Sequence, residues 1–373
     1  MRDVATRLGK RSLAERIVGL FLVTWIPMCV LSLVQGNAIA PTPRGSFLLD
    51  FATYARFFVA APLLIIAERS IGPRIDEATH RFAQDGLVGP EDQANVREAI
   101  QRLTLRRASR WATAVLLILA LVGGWNFTIE HIQGLETSSW QDVSIGEHTL
   151  KHSLAGTWNH LVAVPILLFL LYRWLWHLLV WSLFLRSVAR LNLQLIPAHA
   201  DSAGGLGFLP GTQSSFAIIA FGLNSVLSAE IAFRIVYEGA QLRGFEAPFV
   251  IILVVVELLF LGPLLAFTPP MMAARRRGMR LYGELVARYD RDFQRKWIDG
   301  GASPGEVLLG SPDIQSLADM GNSFEFVRRM RITPIDRAAV IKLFIATALP
   351  VMPLLLLTVP INDLFQLLRK LVL

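Results

Sequence analysis

Cysteine and charge are both scarce in this chain. Cys29 is the single cysteine among 373 residues, which excludes intramolecular disulfides and cysteine-based zinc or iron–sulfur centres. Charged residues make up only 17%, against about 25% in ordinary soluble domains. Phosphate-loop and dinucleotide-binding glycine patterns are missing as well, and no nucleophile stands beside a base. No cofactor is implied. The seven histidines show no metal-ligand spacing, so no metal is implied either.

What is present is apolar length. Hydrophobic residues reach 53%, and they are gathered into long runs. About 20 residues at about 1.5 Å each cross the hydrocarbon core. Seven runs meet that length, at 17–35, 47–67, 111–128, 157–181, 214–237, 247–270 and 339–360. The expected fold is an all-α polytopic transmembrane bundle, one integral membrane domain with a small helical layer on the cytoplasmic side. The first run has a basic start and "NAIA" before Pro41, which resembles a signal peptide. It exceeds the usual 7–15-residue apolar core, so it reads as an uncleaved helix.

The net charge of +7 has its explanation in the excess of Lys and Arg in cytoplasmic loops. No nucleic-acid reading module accompanies it, so nucleic acid is not an expected partner; the lipid bilayer is. Arginines crowd the N-terminal tail, the segment 68–110 and "RRRGMR" at 275–280, whereas 129–156 holds one Lys and four acids. The N-terminus is therefore expected in the cytoplasm. Seven spans then leave the C-terminus outside, where 363–373 reads as an amphipathic helix lying in the interface.

Segments 68–110 and 272–338 are expected to form cytoplasmic helices. Met279, Tyr282, Val286, Tyr289, Phe293 and Trp297 recur at helical spacing. A second stripe runs through Ile314, Leu317, Phe324 and Val327, behind Ser311 as N-cap and Pro312 in the first turn. These faces pack on each other and on helix 90–108, or they present an interface to a second copy or a cytoplasmic protein.

Five charged residues fall inside or near the membrane: Arg56, Arg173, Glu230, Arg234 and Glu257. Each costs on the order of 2.5–3.5 kcal/mol on insertion scales and needs a partner or water. Arg56 and Glu257 lie at similar depth and are candidate partners. Glu230 and Arg234 are four residues apart, on one helix face. Such charges mark a solute or ion path, or they fix helix register. Prolines at 263, 269, 270, 350, 353 and 360 interrupt the last two spans and free backbone carbonyls.

The polar exception is "PAHADSAGGLGFLPG" at 197–211. Glycines there suit a phosphate cradle, His199 with Asp201 suits a metal or acid–base work, and the whole suits a tight turn. In the turn reading Asp201 and Ser202 satisfy local donors, while Gly204, Gly205 and Gly207 supply positive φ or close approach. "LIPAHADSAGGLGFL" (195–209) and "DIQSLADMGNSFEFVRRMRITP" (313–334) together resemble segments of a family of bacterial multi-pass membrane proteins of uncharacterised activity. The family carries Pro between the His and Asp, where this chain has Ala200. The resemblance implies a bacterial inner-membrane protein, with both stretches in one structural unit.

Three function classes follow. The leading one is transport or permeation of a small solute or ion past Arg56, Glu230, Arg234 and Glu257. The alternative is a membrane-embedded enzyme or sensor whose cytoplasmic site combines His199, Asp201, Asp313, Gln315, Asn322 and Glu325. A scaffold that binds a partner through its cytoplasmic helices is the third reading.

Overall fold

Among the described residues, six helices are long and apolar enough to cross a membrane, or seven if one bent pair counts as a span. The computed structural model describes residues 12–134, 139–144 and 150–358. The helices are α1 (Leu13–Val34), α2 (Phe51–Gln84), α5 (Leu154–Val188), α6 (Leu209–Glu238), α7 (Leu242–Ile298) and α9 (Arg337–Leu357). The bent pair is α3 (Pro90–Arg107) and α4, bent by 41°, with α4 running Arg110–Gly134. Pro312–Arg329 forms α8. β1 (Asp142–Ser144) and β2 (Leu150–His152) make one short antiparallel hairpin. The chain is a multi-pass membrane protein. The expected interfacial helix at 363–373 lies outside the described residues, as does the end of the last span.

Every expected span has its helix, but several are longer than their apolar runs. The fifth span starts at Leu209, with Pro210 in its first turn, where a missing N–H costs nothing. Ser214 and Ser215 are buried inside the helix and bond back to Gly211 and Thr212 carbonyls. The sixth span runs on past Pro269 and Pro270 and stops at Ile298, just before Gly300 at φ +81°. The half-buried stripe of α7 closes on that of α8. Helix α3 lies instead on α2 and α5.

The main core gathers α2, α3, α5, α6, α7 and α9 around Phe82, Trp181, Phe216 and Phe267, none more than 2% exposed. The proline breaks are met by side chains of α6. Gln213 donates to the Phe260 carbonyl and accepts from Trp181 Nε1 at 3.0 Å. Ser228 donates to the Pro350 carbonyl. Backbone left free at membrane depth thus regains its partners within the bundle.

Candidate functional site

The stretch 197–211 folds around one carboxylate. Asp201 Oδ1 accepts the Ala203 N–H at 2.7 Å, and Oδ2 accepts those of Gly205 at 3.1 Å and Gly207 at 2.8 Å. His199 Nδ1 lies 2.9 Å from Oδ1. Burial works against the charge of Asp201, but the three N–H groups and His199 outweigh it and hold the carboxyl below its ordinary range. Ser202, Gly204 and Gly205 take φ of +53°, +68° and +99°. Gly207 is required for a different reason: a Cβ there would stand 2.8 Å from Asp201 Cβ.

The loop is tied to the chain that follows α8. Arg331 N–H donates to the Ser202 carbonyl at 2.8 Å, and its Nη2 donates to the Asp201 carbonyl at 3.1 Å. The two unusual stretches therefore meet, through Met330 and Arg331. The expected polar set does not assemble at that meeting. Asp313 sits at the far end of α8, about 26 Å from residue 330 at helical rise. It takes Lys296 Nζ and Trp297 Nε1, each at 2.9 Å, which lower its pKa. Gln315 bonds Asp319, Glu325 pairs with Arg329 and Arg328, and Asn322 is exposed.

The loop has other polar company. A cavity of about 630 Å³ opens above it, between the loop, α2 and the first turns of α6 and α9. His199, Asp201, Gly204, Gly205 and Gly207 line it, joined by Arg74, Arg81 and Lys342. Glu77 pairs with Arg81 at 2.8 Å, and the Arg81 guanidinium lies 5.3 Å above the Phe208 ring. Arg74 and Lys342 make no ion pair among the described residues; Arg74 reaches only the Gly211 carbonyl, at 3.4 Å. Arg74, Glu77 and Arg81 stand three and four residues apart along α2, and this polar stripe was the signal available in the sequence. Lys342 carries no such signal, since it enters through tertiary packing.

The intramembrane charges do not converge. Arg56 and Glu257 make no ion pair, and both Glu257 carboxyl oxygens are buried without a hydrogen-bond partner among the described residues. Glu230 and Arg234 pair with each other at 3.2 Å, both more than 40% exposed. Arg173 bonds Glu68 at 2.8 Å, and Glu68 also holds Arg16 at 2.8 Å. That triad staples α1, α2 and α5. Glu68 stands one residue beyond the apolar run of the second span, so it reads in the sequence as a loop acid.

Comparison with known proteins finds no matching family model, no similar curated protein and no similar solved structure.

Proposed function

We propose that the protein is a membrane-embedded sensor or enzyme whose working site is the polar cavity above the 197–211 loop, on the cytoplasmic side. Its ligand is a small polar molecule with at least one anionic group. The observation that carries this reading is the convergence of the loop with Arg74, Arg81 and Lys342 around one cavity. Arg74 and Lys342, two cations without carboxylate partners among the described residues, supply the attraction, and His199 stands beside Asp201. Transport past the intramembrane charges has less support, because those charges pair locally or stand apart.

Gly211 offers a direct test. It lines the cavity, and a Cβ there meets nothing within 4 Å. Gly211→Trp therefore adds an indole at the cavity wall, from a position where the first side-chain carbon has room. Native mass spectrometry of the purified protein is expected to show a small molecule retained by the wild type. Gly211→Trp and the pair Arg74→Gln/Lys342→Gln should lose it. Retention by both variants, or its absence from the wild type under all lysis conditions, would sink the reading.

A further inference from the structure

A second basic cavity, of about 280 Å³, lies between α3 and α5. Its charged lining is Arg102, Arg106, Arg186 and Arg190, with no carboxylate. Arg102 pairs with Glu98 at 2.5 Å. Arg106, Arg186 and Arg190 make no ion pair among the described residues. Cations in the last turn of a helix do complement its dipole, by about 0.3–1 kcal/mol each. That effect does not require four guanidinium groups around one hollow, where they repel one another.

An apolar groove of about 500 Å³ lies next along the same helix, between α4 and α5. Its α5 wall is Tyr172, Leu175, Trp176 and Leu179. The α5 wall of the basic cavity continues with Leu183, Arg186 and Ser187, and Arg190 follows the helix end. These positions are three or four apart and so share one helix face. Trp176 joins the two compartments, lining the groove while its Nε1 donates to the Arg106 carbonyl at 3.1 Å. Tyr172 to Leu179 spans about 11 Å at helical rise, most of the ~15 Å depth of one leaflet. Trp111, 85% exposed, stands at the start of α4 near this level, as interfacial aromatics do.

An apolar channel that ends in unpaired guanidinium groups has the polarity of a phospholipid. We propose that this face is an anionic phospholipid site. The headgroup phosphate lies between Arg106, Arg186 and Arg190, and an acyl chain runs along Leu119, Leu175 and Leu179. The site is separate from the cavity above the 197–211 loop and stands whether or not that cavity binds a ligand.

The test is native mass spectrometry of the full chain in detergent with added dioleoyl phosphatidylglycerol or phosphatidylcholine. Wild type should retain phosphatidylglycerol in preference. Arg106→Gln/Arg186→Gln/Arg190→Gln should weaken it on the order of a hundredfold, since each surface guanidinium contributes about fivefold. Arg276→Gln/Arg277→Gln/Arg280→Gln removes the same charge from an exposed stretch of α7 and should leave binding unchanged. Should the first triple variant fail to fold, Arg190→Gln alone, at an exposed position just past the helix, should cost about fivefold. Leu175→Trp, within the groove, should weaken the long-chain lipid more than its dihexanoyl form. Equal retention of the two lipids, or equal loss in the two triple variants, would overturn the proposal. So would thermal stabilisation by inorganic phosphate as large as that by the lipid, which would make the ligand a soluble anion.

Discussion

At Asp201, with 22% of its side chain exposed, three backbone N–H groups and one imidazole meet a single carboxyl. Hydrogen bonds to charged groups contribute about 1.5–3 kcal/mol each, and an amide oxygen can replace only some of them. Asp201→Asn is expected to cost about 1–3 kcal/mol, read as a lower unfolding midpoint in detergent at neutral pH. The pH dependence has a definite sign. The folded-state pKa of Asp201 lies below its ordinary value. Its contribution is therefore present above that ordinary value and lost as pH falls through the lowered one. The stability gap between wild type and Asp201→Asn should close in acid, and a gap that stays constant with pH would contradict the assignment. The carboxylate-centred turn was legible in the sequence, because Asp, Ser and Gly each have a local reason to sit there. The placing of Met330 and Arg331 against it was not, because that contact joins residues about 130 apart.

Proline breaks in α7 and α9 raise the question of how freed carbonyls are tolerated at membrane depth. The answer is in α6. Gln213 is fully buried, with Trp181 Nε1 on its oxygen and the Phe260 carbonyl on its nitrogen. Ser228 serves one carbonyl. Interhelical bonds of this kind average about 0.6 kcal/mol within membranes, with a maximum near 1.7. Gln213→Leu removes two at once and strands both partners, so it should cost about 1–3 kcal/mol. Ser228→Ala should cost about 0.6 kcal/mol. Unfolding in a detergent–denaturant titration should rank them in that order, and the reverse ranking would show that the Gln213 bonds matter little. Span positions were legible from apolar length alone. Their true ends were not: α2 and α5 continue on polar and amphipathic sequence such as Arg74 to Gln84, which a hydropathy window discards.

Across the whole molecule several charges pair locally and others line two basic cavities. Glu68 holds Arg16 and Arg173, Glu230 holds Arg234, and Arg74 and Lys342 face the cavity above the loop. Glu257 alone has a carboxyl that is buried and unpartnered among the described residues. Residue type and depth made it one of the path candidates in the sequence. The geometry that decides its role, which neighbours α7 offers it, is a product of packing and has no sequence signature. A carboxyl on a solute path is needed for activity, whereas one that merely endures burial is a burden on the fold. Removing an unsatisfied buried polar group relieves about 1–3 kcal/mol. Glu257→Leu is therefore expected to raise the unfolding midpoint by a few degrees and to leave ligand retention in the Arg74–Lys342 cavity unchanged. Glu257→Gln, of the same shape, should keep retention but gain little stability, since the amide is as hard to satisfy. A path role predicts the opposite pattern, in which both substitutions abolish solute uptake into vesicles that wild type supports, whatever their effect on stability. The two measurements together separate a protein that works at one face of the membrane from one that works through it.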